Sequence, residues 1–243
     1  MTPAVGFDEL HDELRACRRC LEEGYWIAPG PVFSHGVGAG LMLIGQAPGP
    51  TEAVVKRPFN AGSGKRLFKW LAEAGWAEDD FRATAYMTAI TKCYPGRNDT
   101  GKGDRVATPF EQALCRPWLE QELGLVNPRL LILVGGLAIK LLYPAGTRLD
   151  EIIGTAAYFS PEALADNLLN FDLSQAEIVT SDELRVTSEE SARHSSLVNR
   201  HSRFVVPLPH PSGASLWPNK PENRVLISRA MNLLGKIRAV CQL

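Results

Sequence analysis

The chain has no apolar run approaching the roughly 20 residues that a membrane-spanning helix needs, so nothing in it reads as a helical span. It also lacks the basic, apolar leader of a secreted protein: the N-terminal MTPAVGFDELHDEL is acidic and amphipathic, which makes the cytoplasm the expected location. Charge of either sign is not in excess, with 26 Lys and Arg against 27 Asp and Glu and a net charge of −1. Any contact with nucleic acid must therefore come from a local patch and not from a basic protein as a whole. Cysteine is sparse, at five residues; in a cytosolic chain these argue for metal or redox chemistry more than for disulfides. What remains is ordinary globular composition: 243 residues, 45% hydrophobic and 22% charged, enough to bury a sizeable core.

The organising stretch is Leu41 to Glu52, LMLIGQAPGPTE. An unbroken apolar run that stops at Gly45 reads as a strand buried on both faces, the habit of parallel sheets. The following Gln46-Ala47-Pro48-Gly49 bends the chain and exposes backbone N–H groups, as a ligand-binding loop requires. Further strands are expected at Ala83–Thr91, Arg129–Val134 and Phe204–Leu208, the last with Pro207 marking an edge position or a strand end. Helices are expected at Phe7–Glu23, Lys65–Ala74, Pro109–Leu123, Leu137–Tyr143 and Asn223–Val240; Thr108 and Pro109 supply an N-cap and first position. Gly24–Gly40 reads as a Gly- and Pro-rich connector. The segment of about 154–203, rich in Ser, Asp and Glu and weakly periodic, reads as a partly mobile insertion before the last strand.

Four strands alternating with helices predict an α/β fold: a single domain over residues 1–243 with a four-stranded parallel sheet and helices on both faces. GQAPG, KCYP, the Gly135-Gly136 pair and HPSG each follow a strand, so all converge on one rim of the sheet, where open α/β folds bind ligands. Cys17 and Cys20 form a CxxC pair, with Cys93 and Cys115 far downstream. Soft thiolates of this kind suit zinc or an iron–sulfur cluster, and buried apolar cysteine is the plainer alternative.

GQAPG after a strand, RPF with glycines soon after, KCxPxxN, CRPWL and a final HPS together resemble the iron–sulfur uracil-DNA glycosylases of families four and five. The likeness runs in order from Cys17 to the last helix, broken by the long insertion. It implies a three-layer α/β/α sandwich on a four-stranded parallel sheet, and a structural [4Fe–4S] cluster held by Cys17, Cys20, Cys93 and Cys115, with Cys241 left over. It further implies a base-excision repair enzyme acting on DNA, nucleoid-associated in a bacterium or archaeon. Departures are specific. Family four carries Glu where this chain has Gln46, family five carries an Asp in the loop that here reads NAGSG, and family four's base-reading Asn is replaced by Ala89. A DNA-cross-linking branch carries a His between the later cysteines; this loop has none.

Cleaving a base from deoxyribose passes through an oxocarbenium-like sugar and a base anion, which a donor and a held water can assist. The resemblance makes His210 the donor to the departing base. It gives Gln46 the water, with Gly45 and Ala47 backbone beside it, and stacks Phe59 on the flipped base. Asn98 would read a base edge and Ser212 grip the strand. His11, His35, His194 and His201 are expected at the surface. Lys56, Arg57, Lys65, Arg66, Lys69, Arg97, Lys102 and Arg105 lie in loops around the rim and would supply phosphate contacts. Two other readings stand beside the hydrolase: a catalytically silent iron–sulfur DNA-binding relative acting as a damage sensor, and a zinc-binding α/β hydrolase unrelated to DNA.

Overall fold

The structure, a computed structural model, describes residues 6–27, 29–34, 40–101, 103–165, 171–184, 202–213 and 215–243. Strands β1 (Leu41–Gly45), β2 (Tyr86–Ala89), β3 (Leu130–Val134), β4 (Thr155–Phe159), β5 (Glu177–Thr180) and β6 (Arg203–Leu208) form one sheet in the order β2-β1-β3-β6-β4-β5. The first four of that order are mutually parallel, with Leu43 opposite Met87 and Ile132, and Ile132 opposite Val206. The remaining two are antiparallel, β4 to β6 and β5 to β4.

The sheet is therefore six-stranded and mixed, not four-stranded and parallel. Both extra strands come from the segment read as an insertion, which builds sheet instead of merely interrupting it. Its strands escape the pattern because β4 (TAAYF) is short and half small residues, and β5 (EIVT) leaves Glu177 and Ile178 exposed at the sheet edge. Residues 166–170 and 185–201 of that segment lie outside the described residues.

Pro207 sits in a central strand, yet its position costs nothing. Phe204 N–H bonds toward β3, so alternation turns the nitrogen of residue 207 toward β4. The β4 ladder ends at the Ala157–Val205 pair, before that nitrogen is reached. Pro207 is at an end of pairing on one side only.

Helices α1 (Phe7–Ala16), α2 (Arg19–Glu22), α3 (Pro50–Val55), α4 (Gly62–Glu73), α5 (Glu78–Thr84), α6 (Pro109–Val126), α7 (Gly136–Ile139), α8 (Leu149–Ile152), α9 (Pro161–Ala165) and α10 (Pro221–Cys241) cover both faces. The period-2 alternation of the strands sorts the core in two. Leu41, Leu43, Ile132 and Val206 pack with Leu67 and Leu71 of α4 and Ile227 and Leu234 of α10. Met42, Ile44, Leu131 and Val205 pack on the other side with Leu119 and Leu123 of α6 and Ile139 of α7. Each such side chain, fully withdrawn from water, contributes about 1.5–3 kcal/mol.

Helix α6 starts on a capping box: Glu111 N–H donates to Thr108 Oγ1 (3.2 Å) and Thr108 N–H donates to the Glu111 carboxylate (2.7 Å). It runs to Val126, three residues beyond the expected stop, and is capped by Asn127 in the left-handed region. Among the described residues no helix is long and apolar enough to cross a membrane. Because β1, β2, β3 and β6 are parallel, their carboxyl ends open on one rim.

Candidate active site

That rim holds a cavity of about 690 Å³. Gly45, Gln46 and Ala47 after β1, Phe59 before α4, Ala89 at the end of β2, Asn98 beyond it, and His210 and Ser212 after β6 all line it. Every residue expected at the reacting site is thus on one wall or another of a single cavity.

Phe59 is held in place by an unusual amount of local structure. Its backbone is left-handed (φ 51°), a conformation that costs a non-glycine residue about 1–3 kcal/mol. Arg82 of α5 donates to the carbonyls of Pro58 (2.8 Å) and Phe59 (2.9 Å). The buried Glu52 carboxylate accepts from the N–H groups of Asn60 and Ala61, both at 2.9 Å. Two glycines permit the close approach: a Cβ on Gly64 would lie 1.8 Å from the Phe59 carbonyl oxygen, and one on Gly45 would lie 2.8 Å from Phe59 Cζ. The ring is therefore seated on bare backbone at the end of β1, half-buried, with the cavity beside it.

His210 is prepared differently. Gly135 (φ 87°) admits its ring, since a Cβ there would sit 2.8 Å from His210 Cδ2. Ser212 N–H donates to His210 Nδ1 at 3.2 Å, which leaves Nε2 to carry the ring proton. Burial holds the imidazole pKa below its ordinary value, so the ring is neutral at pH 7 and Nε2–H is a donor.

The Gly45 and Gln46 carbonyls accept from Ile90 (3.0 Å) and Thr91 (3.3 Å) N–H groups, which ties the GQAPG turn to the chain beyond β2. Asn98 belongs to a tight turn: its side-chain oxygen accepts from Thr100 (2.8 Å) and its backbone N–H donates to Gly103 (2.8 Å). The Ser212 carbonyl accepts from Arg66 at 3.5 Å. Arg105, expected as a phosphate contact, is bound bidentately by Glu111 at 2.6 and 2.7 Å. Lys102 lies outside the described residues.

The sequence reading missed two cavity carboxylates. Glu52 supports the Phe59 loop, as above, and its place within the organising stretch was the available signal. Asp104 stands at the open side and accepts from the Tyr94 hydroxyl at 2.8 Å. Leu216, 74% exposed, follows Ser215 at the cavity wall. His11 is a correction: it is only 4% exposed, its Nε2 3.1 Å from the Tyr86 hydroxyl and its ring stacked on Phe33. His35, His194 and His201 lie outside the described residues.

Cys17, Cys20, Cys93 and Cys115 are all free thiols and line one small cleft with Leu14, Ile27 and Trp118. Two flank the break between α1 and α2, one follows β2, and one sits on α6. Burial pushes the Cys20 thiol up to about 11 and Cys93 to about 12, so thiolates here require a cation in their midst. Lys92 N–H already points at Cys115 Sγ at 3.4 Å. Among the described residues no three His, Cys, Asp or Glu side chains are close enough to hold a single ion. Four soft thiols around one cleft are a donor set whose chemistry fits an iron–sulfur cluster. Cys241 is buried in the core on α10.

Between cleft and cavity lies a buried ionic network. Lys92 Nζ reaches Glu122 (2.5 Å), Thr88 Oγ1 (2.8 Å) and the Ala89 carbonyl (2.7 Å), and the Tyr86 hydroxyl donates to Glu122 at 3.1 Å.

The family model described as the uracil DNA glycosylase superfamily matches residues 33–234. Among curated proteins, the chain is similar to a type-4 uracil-DNA glycosylase of Pyrobaculum aerophilum, 29% identical over 150 residues, covering 62% of this chain and 71% of that one. It is 29% identical over 140 residues to the type-4 uracil-DNA glycosylase of Archaeoglobus fulgidus, covering 56% and 63% of the two chains. Against that of Thermotoga maritima it is 30% identical over 99 residues, 41% of this chain and 46% of the relative.

Proposed function

Since this chain belongs to the uracil DNA glycosylase superfamily, we propose that it hydrolyses the N-glycosidic bond of uracil or a related deaminated base in DNA, as a monofunctional enzyme of base-excision repair. The observation that carries the reading is the meeting of Phe59, His210 and Gln46 on one cavity past the carboxyl ends of the parallel strands.

The base, flipped out of the helix, stacks on the Phe59 ring, and the left-handed turn under that ring holds it without reorganisation. Neutral His210 donates through Nε2 to the oxygen on which charge develops as the bond breaks. Gln46 orients the attacking water through its amide. It does not take the proton, and the buried Glu52 is occupied by the Phe59 loop, so turnover is slow. Asn98 contacts the base edge from its turn, Ser212 grips the strand after His210, and Gly45 and Ala47 backbone completes the water site. Exposed Leu216 is placed to fill the gap the extruded base leaves, as apolar wedges do.

Cys17, Cys20, Cys93 and Cys115 hold a [4Fe–4S] cluster whose contribution is structural, tying α1 and α2 to the end of β2 and to α6. The chain works as one domain, residues 1–243, on cytoplasmic DNA.

Oligonucleotides with a single uracil, hypoxanthine or xanthine, single- and double-stranded, incubated with the protein and then treated with alkali, test the reading. Strand breaks at the modified base are expected. Tight binding with no base released would instead favour the silent DNA-binding relative, and neither binding nor release would remove both.

A further inference from the structure

Beside the cavity stands an aromatic residue that the proposed reaction does not use. Trp26 is 69% exposed, although a ring of that size normally pays for itself by burial. Its position is nonetheless fixed. The ring lies on the backbone of Gly96, where a Cβ would come within 2.8 Å of Trp26 Cζ3, and Gly96 itself is left-handed (φ 98°). The Trp26 carbonyl accepts from Arg105 at 3.1 Å, and Arg105 is clamped by Glu111. Tyr25, the preceding residue, stacks on the half-exposed Phe110 with ring centroids 5.6 Å apart.

The loop beneath Trp26 is the same one that walls the cavity. Pro95, Asn98, Asp104 and Arg105 line the cavity, while Gly96, between the first two, seats the ring. Arg97 follows immediately and is exposed. An exposed ring held rigidly at the edge of the cavity, next to an exposed cation, has the elements of a stacking platform for unpaired nucleotides.

We propose that Trp26 is a second base-binding position, on which a nucleobase of single-stranded DNA adjacent to the extruded one stacks. The surface is continuous with the cavity, which favours the same DNA strand over a separate protein partner as its occupant. This rests on the cavity taking DNA but not on base release.

The test uses the full-length protein and uracil-free oligo-dT. Trp26→Ala should weaken oligo-dT binding by roughly 5- to 150-fold, the range for one base–aromatic stack, and Trp26→Phe should recover most of it. Tryptophan fluorescence should be quenched by oligo-dT in the wild type and much less so in Trp26→Phe. Trp70, Trp76 and Trp118 are buried and Trp217 is half-buried, so the Trp26 signal is the difference between the wild type and Trp26→Phe. Val225→Ala, an exposed apolar residue on α10, should bind like the wild type. Equal oligo-dT affinity of wild type and Trp26→Ala would overturn the proposal even if uracil is excised. Trp26-dependent binding with no excision of any base would leave it standing and remove the glycosylase reading instead.

Discussion

Gly45→Ala puts the base-stacking geometry to a quantitative test. The added Cβ would lie 2.8 Å from Phe59 Cζ, whereas carbon–carbon contacts settle at about 3.5–4.0 Å. The ring must retreat by roughly 1 Å. It cannot do so by relaxing its backbone, because Arg82 and Glu52 hold the residues on either side through four hydrogen bonds. The displaced ring tips toward the cavity, where a misplacement of about 1 Å costs on the order of 10²-fold in rate. Phe59→Ala, which removes the stack, should cost about 1–3 kcal/mol, or roughly 5- to 150-fold. The decisive measurement is a double-mutant cycle on single-turnover uracil excision. If Gly45→Ala acts by moving the ring, it does little further harm in the Phe59→Ala background, and the double variant resembles the worse single one. Strictly additive losses would show that the Cβ obstructs the base directly and that the Gly45–Phe59 contact is not what positions it. Thermal unfolding accompanies the cycle, since overpacking a half-buried ring should cost no more than about 1–3 kcal/mol.

His210→Ala should lower the excision rate by about 10²–10³, the value of one preorganised donor. An unchanged rate would remove the donor role. Because burial lowers the folded pKa of His210, the unfolded chain binds the extra proton first. Stability is then full above the unfolded value of about 6.5 and is lost as pH falls through it; His210→Gln should flatten that slope in denaturant titrations between pH 5 and 7.5. Gln46→Glu supplies the missing base and should raise the single-turnover rate at least about tenfold above the pH where the new carboxylate ionises, within the 10²–10⁴ range of general-base catalysis; no increase with unaltered DNA affinity would show that water activation is not limiting. Glu122→Gln strands Lys92, 1% exposed, without its carboxylate and should destabilise by about 3–5 kcal/mol, read from the denaturant midpoint.

The part of the fold legible in the sequence is the part that is locally apolar. LMLI and LLILV are continuous because β1 and β3 are covered on both faces, and a continuous run survives any error about neighbours. Helix α6 announced itself through Thr108, Pro109 and Glu111, whose capping box depends on four consecutive residues. By contrast β4 and β5 exist only through pairing with β6 and with each other. Two alanines and an edge glutamate carry no strand signal until a partner across the sheet is known. His11 was legible and misread: with Phe7, Leu10 and Leu14 it falls on the i, i+3, i+4, i+7 stripe of α1, the stripe that is buried.

At the site, loops could be assigned to a common rim because parallel strands force their ends together, so Gln46, Phe59 and His210 required only the strand order to be placed. How each is held required contacts that no spacing encodes. Gly45 and Phe59 are separated by a turn and a helix, Gly135 and His210 by three strands and the segments between them, and Gly96 and Trp26 by most of the N-terminal half. In each pair a glycine is the receiving surface for a ring from a distant loop. A glycine after a strand reads in sequence as a turn residue, and here its other function is the absence of a Cβ beneath an aromatic side chain. The chemistry of the rim therefore depends on residues whose contribution is space. Substitutions at Gly45, Gly96 and Gly135 should injure ring placement before they injure the fold.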